Sequence, residues 1–143
     1  MAACVFCQIL AGELPGSFVF QDDRVSAFLD IRPVNPGHLL IVPHVHAETF
    51  EQLPSDIAEH MMTVAQQLMT RLRETDLRCE GVNLFLADGV AAGQEVAHVH
   101  LHVIPRFAGD GFGLPFAPGY GALPERDELE RVAAVIRDAR PKG

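Results

Sequence analysis

The sequence predicts a single domain of the α+β class, with an antiparallel sheet of about five strands and two helices. Short apolar runs separated by turn residues come first, a long amphipathic segment follows, and the order then repeats once. The early runs are spaced as in hairpins, which favours antiparallel pairing with the helices to one side of the sheet. No repeat or low-complexity tract divides the 143 residues.

The first part of the chain carries three strand-like runs. Residues 18–22 and 25–30 flank an Asp-Asp-Arg turn at 22–24, which predicts a hairpin. Residues 38–43 form a continuous apolar run of strand length after a loop that contains Pro33, Pro36 and Gly37.

The rest of the chain predicts two helices and two further strands. A helix is expected over 54–75, where apolar residues recur at the spacing of one helix face: Ile57, Met61, Val64, Ala65, Leu68 and Leu72. Strands are expected at 82–86 and 96–104, with Pro105 ending the second. Residues 108–121 hold five glycines and two prolines and predict a loop, and 124–140 predict the second helix.

The composition restricts the classes of partner. A formal net charge of −8 and a pI of about 5.2 give no basic stripe for tracking DNA or RNA, so no nucleic acid partner is expected. The apolar start is too short for a signal peptide or a membrane span, so we expect a cytoplasmic protein that does not contact membranes. Cysteines are reduced in that compartment, and Cys4 and Cys7 therefore indicate a metal site or a structural pair.

Three histidines in five residues form the most informative pattern. His98, His100 and His102 alternate with aliphatic residues, so in a strand the imidazoles share one face and the aliphatic side chains enter the core. A row of histidines is not explained by packing, because buried imidazoles need polar partners. The residues alone leave two interpretations open, a zinc site and a neutral imidazole that attacks phosphorus. The preceding loop at 93–95, Gly-Gln-Glu, favours the second, because its N–H groups could bind a phosphate.

The segment Gly-Gln-x-Val-x-His-φ-His-φ-His-φ-φ at 93–104, where φ is apolar, resembles the signature of the histidine triad family at every fixed position. The resemblance extends to Cys-x-x-Cys-x-Ile at 4–9, Ala-Phe-Leu-Asp-Ile at 27–31, Pro-Gly-His-x-Leu-x-Val-Pro at 36–43, and His46. It implies a histidine triad fold and domain over 4–107. We expect the remaining residues, 108–143, to be a loop and a C-terminal helix packed on the same domain.

The resemblance implies an enzyme that binds a purine nucleotide and cleaves at its α-phosphorus through a nucleotidyl-histidine intermediate. His100 matches the nucleophile, His98 and His102 flank it, and His38 matches a fourth histidine beside them. Asp30 matches a carboxylate that binds the ribose hydroxyls. The base pocket would be formed by Phe6, Ile9, Phe28 and Ile31, and the phosphate loop by Gly93, Gln94 and Glu95.

Two positions depart from the pattern. Ala87 stands where related sequences often carry an amide that contacts the leaving group, so the preferred leaving group stays open between a phosphoramidate amine and a polyphosphate. Glu95 stands where some relatives have Ser or Thr, and a carboxylate beside a phosphate is repulsive unless it points away or is protonated. We therefore expect Glu95 to act through its N–H group.

The resemblance also implies a structural zinc and a homodimer. Several bacterial members that resemble this chain carry a structural zinc ion on the pattern that here corresponds to Cys4, Cys7, His46 and His98. The long separation of these residues in sequence does not match a zinc finger, so the fold must bring them together. Two other functions stay open, a nucleotide-binding regulatory or scaffold protein with little turnover, and a zinc hydrolase that uses the triad as ligands.

Overall fold

A five-stranded antiparallel sheet is the framework of the protein in the structure, a computed structural model that describes residues 4–141. The strands lie in the order β1-β2-β3-β5-β4. Their bounds are β1 Phe18–Gln21, β2 Val25–Leu29, β3 Leu39–Pro43, β4 Gly81–Phe85 and β5 Leu101–Arg106. The predicted α+β class and the predicted number of strands are confirmed.

Three α-helices accompany the sheet, one more than predicted: α1 Val5–Leu10, α2 Ser55–Arg73 and α3 Arg126–Arg137. The additional helix, α1, is only six residues long, and its N-cap is Cys4, whose Sγ accepts a hydrogen bond from the N–H of Cys7. The sequence indicates this helix only through the apolar side chains of Val5, Phe6 and Ile9. A helix of six residues has too few turns to give a recognisable periodic pattern.

One face of α2 packs against the sheet. The predicted apolar face is confirmed, with five of its residues buried and Ile57 partly buried against them. Val99, Leu101 and Val103 enter the same core, as their alternation with the histidines predicts. The histidine side chains are thereby left on the opposite side of this segment from α2.

The chain divides into two compact units, one ending at Phe112 and the other beginning at Gly113. The second unit contains α3, which has no buried residue. The predicted domain boundary at residue 107 and the packing of the C-terminal helix on the same domain remain predictions. Within residues 4–141, no helix combines the length and the apolar character that a membrane span needs.

The last strand is displaced from its predicted position. β5 begins at Leu101, not at Val96, because the segment before it leaves the sheet: Val99 donates its N–H to Ala47, beyond the end of β3. Pro105 does not end the strand but pairs with Val82 of β4. On its other side β3 pairs only as far as Val103, so no ladder bond is lost to the missing N–H of proline.

The loop before β3 is fastened to the end of β5. Asn35 donates its side-chain N–H groups to the carbonyl of Pro105 and to Asp110 Oδ2, both at 2.9 Å. Asp110 also forms a bidentate ion pair with Arg106, at 2.7 and 2.8 Å. The N–H of His38 donates to the carbonyl of Asn35, so this network fixes the position of His38.

Gly37, next to that histidine, is required by both backbone conformation and space. Its φ is +96°, and a Cβ there would lie 3.1 Å from Leu77, 3.2 Å from Leu72 and 3.4 Å from Pro105. Gly109 has a similar φ of +80° with nothing within 4 Å of such a Cβ. The Gly109→Ala variant therefore measures the backbone cost alone.

We expect Gly37→Ala to destabilise the fold more than Gly109→Ala. The left-handed backbone costs an alanine about 1 kcal/mol at either position, and only residue 37 adds crowding against Leu72 and Leu77. Urea denaturation of both variants measures the difference. Equal free energies of unfolding would show that the loop yields to the extra methyl group.

Candidate functional site

A cavity of about 910 Å³ opens beside the histidine segment. It is bounded by α1, the end of β2, the loop at 93–96 and β4. Ten of the predicted site residues line it: Phe6, Ile9, Phe28, Asp30, Ile31, His38, Gly93, Glu95, His100 and His102. Of the predicted catalytic and nucleotide-binding residues, His98 and Gln94 do not line it, and neither do the other predicted metal ligands, Cys4, Cys7 and His46.

The apolar wall of the cavity is built on α1 and β2. The ring of Phe6 packs edge-on against Phe28, with the ring centres 5.7 Å apart, and against His100 at 4.9 Å. Both phenylalanines are buried, whereas Ile31 is 93% exposed at the rim. A flat apolar ring could therefore lie between Ile31 and the phenylalanines.

The protonation of His100 follows from a main-chain contact. Its Nδ1 lies 2.8 Å from the carbonyl oxygen of His98, which only accepts hydrogen bonds, so Nδ1 carries a proton. In the neutral ring the lone pair is then on Nε2. A neutral imidazole with a fixed tautomer and a lone pair at a cavity is a competent nucleophile.

A second chain of contacts fixes the tautomers of His38 and His102. The N–H of Val34 donates to His38 Nδ1 at 3.0 Å, so His38 carries its proton on Nε2. That nitrogen lies 2.9 Å from His102 Nδ1, which must accept. His102 therefore carries its own proton on Nε2 and can donate it to a ligand.

The pKa values agree with neutral rings. Burial lowers the pKa of His38 below the ordinary 6.5. Burial, together with the charges of His100 and His38, lowers the pKa of His102 to about 4. Asp30 acts in the opposite direction on both, with its Oδ2 at 3.6 Å from His38 Nε2 and 4.0 Å from His102 Nδ1.

The side chain of Gln94 holds the loop at 93–95 in place through three hydrogen bonds to the main chain. The amide oxygen of Gln94 accepts from the N–H of Gly89 at 2.7 Å, and its amide nitrogen donates to the carbonyls of Glu48 and Val96. The N–H groups of Gly93 and Gln94 donate within the loop. Among the described residues the N–H of Glu95 donates no hydrogen bond, so this N–H group is available to a ligand.

Arg32 and Phe85 are among the cavity-lining residues that sequence reasoning missed. Arg32 Nη2 lies 3.1 Å from Glu95 Oε2, so the carboxylate that was expected to repel a phosphate turns towards a guanidinium. Arg32 directly follows the matched segment 27–31, and that position was its only signal. Ala87 is buried, and it does not line the cavity.

A separate cluster joins α1 to the histidine segment. The Sγ atoms of Cys4 and Cys7 and the Nδ1 atoms of His46 and His98 all lie within 4.8 Å of one another. His98 Nδ1 is 3.4 Å from Cys4 Sγ, 3.6 Å from Cys7 Sγ and 3.1 Å from His46 Nδ1. Tetrahedral zinc with ordinary bond lengths separates its ligand atoms by about 3.3–3.8 Å.

The ring of His98 is prepared for a metal. Its Nε2 donates to the carbonyl of Pro43 at 2.9 Å, which leaves the lone pair on Nδ1, facing the cluster. One lone pair accepts one hydrogen bond, yet three ligand atoms surround it. A cation at the centre satisfies all of them, so the cluster is compatible with zinc.

The cluster of Asp30, His38 and His102 fails the same test. Their ligand atoms also lie within 4.8 Å of one another. However, the N–H of Val34 occupies the Nδ1 lone pair of His38, so Nε2 carries the proton and has no lone pair to offer a metal. This cluster is therefore suited to holding protons.

Comparison with known proteins identifies relatives of the whole arrangement. Residues 11–109 match the family model described as HIT domain. An uncharacterised HIT-like protein of Methanocaldococcus jannaschii is 44% identical over 76% of this chain and 82% of its own length. The crystal structure of a HIT family member from Bacillus subtilis superposes with a TM-score of 0.87 at 30% identity, covering 99% of this chain and 100% of that one.

Two further relatives bear on the chemistry. A zinc-bound histidine triad family protein from Mycobacterium smegmatis is 35% identical with a TM-score of 0.75, over 94% of each chain. The adenylylsulfatase HINT3 of Arabidopsis thaliana is 35% identical over 72% of this chain, which spans about half (52%) of that protein.

We expect ¹⁵N NMR of the imidazoles to show a proton on Nδ1 of His100 and on Nε2 of His102. As the pH is lowered from 7 to 5, His102 should stay neutral, because its pKa is about 4, while a histidine of ordinary pKa becomes charged. Between these pH values His102 is protonated in the unfolded chain but not in the folded protein. The free energy of unfolding therefore decreases as the pH is lowered from about 6.5 to 4.

Val34→Pro removes the N–H that fixes His38 and is the matched variant for this test. It should allow the Nδ1–H tautomer of His38, and His102 should then no longer be restricted to the Nε2–H tautomer. A proton on Nδ1 of His102 in the unaltered protein would contradict the chain of contacts.

Proposed function

The chain belongs to the histidine triad family, and from this premise we propose that it is a nucleotide hydrolase or nucleotidyl transferase that acts at the α-phosphorus. The substrate is a purine nucleotide derivative, either a nucleoside phosphoramidate or a dinucleoside polyphosphate. The single observation that carries the proposal is the hydrogen bond from His100 Nδ1 to the carbonyl of His98, which leaves the Nε2 lone pair in the cavity.

The reaction consists of two displacements. In the first, His100 Nε2 attacks the α-phosphorus, the N–P bond forms, and the bond to the leaving group breaks. The Nε2–H of His102 donates a hydrogen bond to the leaving group, which departs with a proton taken from solvent, so His102 stays neutral. In the second, water attacks the nucleotidyl-histidine, the N–P bond breaks, His100 leaves as the neutral ring, and the attacking water releases one proton to solvent.

The surroundings of His100 support the positions of the other substrate groups. The base lies between Ile31 and the wall formed by Phe6 and Phe28. Asp30 accepts hydrogen bonds from the two ribose hydroxyls with the carboxylate edge that it does not use for the backbone of Arg32. The N–H of Glu95 donates to a phosphate oxygen, where negative charge grows during attack.

The alternative of a zinc hydrolase that uses the triad as ligands conflicts with the tautomers. The lone pair of His38 Nδ1 is occupied by Val34, and the single lone pair of His102 accepts from His38. His98 turns its free lone pair away from the cavity, towards the cysteines. A regulatory protein without turnover keeps the same pocket, and the experiment below separates it from an enzyme.

A rapid alkaline quench during turnover of an adenosine phosphoramidate should trap an adenylyl group on His100. Direct attack by an imidazole leaves a covalent adduct, and two in-line displacements retain configuration at a chiral phosphorus. Mass spectrometry of the peptide and the configuration of the product are the two measurements.

The variants for this test are His100→Ala and the control His44→Ala, an exposed histidine outside the cavity. His100→Ala should lose the adduct and turnover while its nucleotide affinity stays within roughly tenfold, about 1.4 kcal/mol. His44→Ala should keep both. Inversion at phosphorus would refute the adduct, and nucleotide binding without any turnover would favour the regulatory protein.

We further propose that Cys4, Cys7, His46 and His98 hold a structural zinc ion. The ion supplies a crosslink between α1 and the histidine segment and takes no part in the displacements. Because Phe6 lies between the two cysteines and contacts His100, the crosslink holds one wall of the cavity in place.

The purified protein should contain about one zinc ion per chain, and Cys4→Ser should lose it. Loss of the ion should lower the melting temperature and weaken nucleotide binding, since α1 carries Phe6. Metal analysis and thermal unfolding measure both effects, with Cys79→Ser as the control cysteine outside the cluster. A metal-free protein of unchanged melting temperature after chelation would rule the ion out.

A further inference from the structure

An exposed ion pair spans two rims of the cavity. Arg32 Nη2 and Glu95 Oε2 are 3.1 Å apart, and their side chains are 81% and 76% exposed. The pair connects the loop after β2 with the loop before β5, and both residues line the cavity.

The charges around the cavity make Arg32 distinctive. Among its lining residues Arg32 is the one permanent cation, whereas Asp30 and Glu95 are anions. The chain as a whole carries a formal charge of −8, so the long-range potential repels an anionic ligand. A nucleotide entering this cavity meets one side chain that can offset its charge.

The pair is easily exchanged. Exposed ion pairs stabilise proteins little, because water screens them and because long side chains lose entropy. Glu95 bonds to one of the guanidinium nitrogens, although a guanidinium can hold an anion through two parallel N–H groups. A phosphate can therefore replace Glu95 without a loss of contacts.

The backbone holds both partners beside the expected path of the nucleotide. The N–H of Arg32 donates to Asp30 Oδ1 at 2.8 Å, which ties it to the residue assigned to the ribose. The N–H of Glu95 is the one assigned to the α-phosphate. An anionic group attached either to the ribose or to the α-phosphate thus lies within reach of the guanidinium.

We propose that Arg32 binds a second anionic group of the nucleotide, beyond the α-phosphate, and that Glu95 is the internal anion which this group displaces. The proposal rests on the proposed nucleotide site and adds its ligand class, a nucleotide with an additional phosphate. Glu95 then favours ligands that carry the second anion, because a ligand without it leaves the Arg32–Glu95 ion pair intact.

The test measures binding in the His100→Ala background, where nothing is cleaved. Three ligands differ in the second anion: adenosine 5′-monophosphate has none, adenosine 5′-diphosphate has it on the phosphate chain, and adenosine 3′,5′-bisphosphate has it on the ribose. The readout is the dissociation constant of the monophosphate divided by that of each doubly charged ligand, at constant ionic strength.

The two variants should change this ratio in opposite directions. Arg32→Gln should lower it and Glu95→Gln should raise it, each by about two- to fivefold, the range of an exposed ion contact. The double variant should lie between them. The ligand whose ratio moves identifies the position of the second anion.

Arg78→Gln and Glu80→Gln are matched controls, since they remove the same charges from an exposed pair that does not line the cavity. Ratios that stay unchanged in Arg32→Gln and Glu95→Gln, or that move equally in the controls, would overturn the proposal. Failure of the monophosphate itself to bind would instead remove the proposed function.

Discussion

The hydrogen bond from His98 Nε2 to the carbonyl of Pro43 connects the sheet to both candidate sites. It lies at the end of β3 and fixes the ring of a fully buried residue. With Nε2 engaged, Nδ1 must face Cys4, Cys7 and His46. The carbonyl oxygen of His98 also accepts the hydrogen bond from His100 Nδ1, so His98 orients the cysteine cluster through its side chain and the ring of His100 through its main chain.

The tautomers of His38 and His102 are also set by a contact with the main chain, and their pKa values agree with these tautomers. Because the N–H of Val34 donates to His38 Nδ1, both His38 and His102 carry their protons on Nε2. Burial keeps both rings neutral by lowering their pKa values. The cavity is thus lined by two neutral histidines, His38 and His102, and the one permanent cation among its lining residues is Arg32.

The sequence predicted what depends on local periodicity. The face of α2, the five strands and the burial of Val99, Leu101 and Val103 follow from spacing alone. Helix α1 escaped prediction because six residues carry too little periodic signal. The pairing of Arg32 with Glu95 lies outside any local pattern, since 63 positions separate the two residues. Tautomers are set by contacts with Val34, Pro43 and His98 main-chain groups, and these exist only after folding.

The error in the predicted start of β5 has a chemical consequence. A strand running from residue 96 would have committed its carbonyl groups to ladder bonds with its neighbours. The segment before Leu101 lies outside the sheet, with the N–H of Val99 bonded to Ala47. The carbonyl of His98 is therefore free to accept a hydrogen bond from the imidazole of His100, two residues later. A continuous strand would keep the alternation of histidines but would lose the contact that fixes the tautomer of His100. The irregular backbone at this point therefore distinguishes a plain row of histidines on a strand from an imidazole whose tautomer is fixed by the main chain.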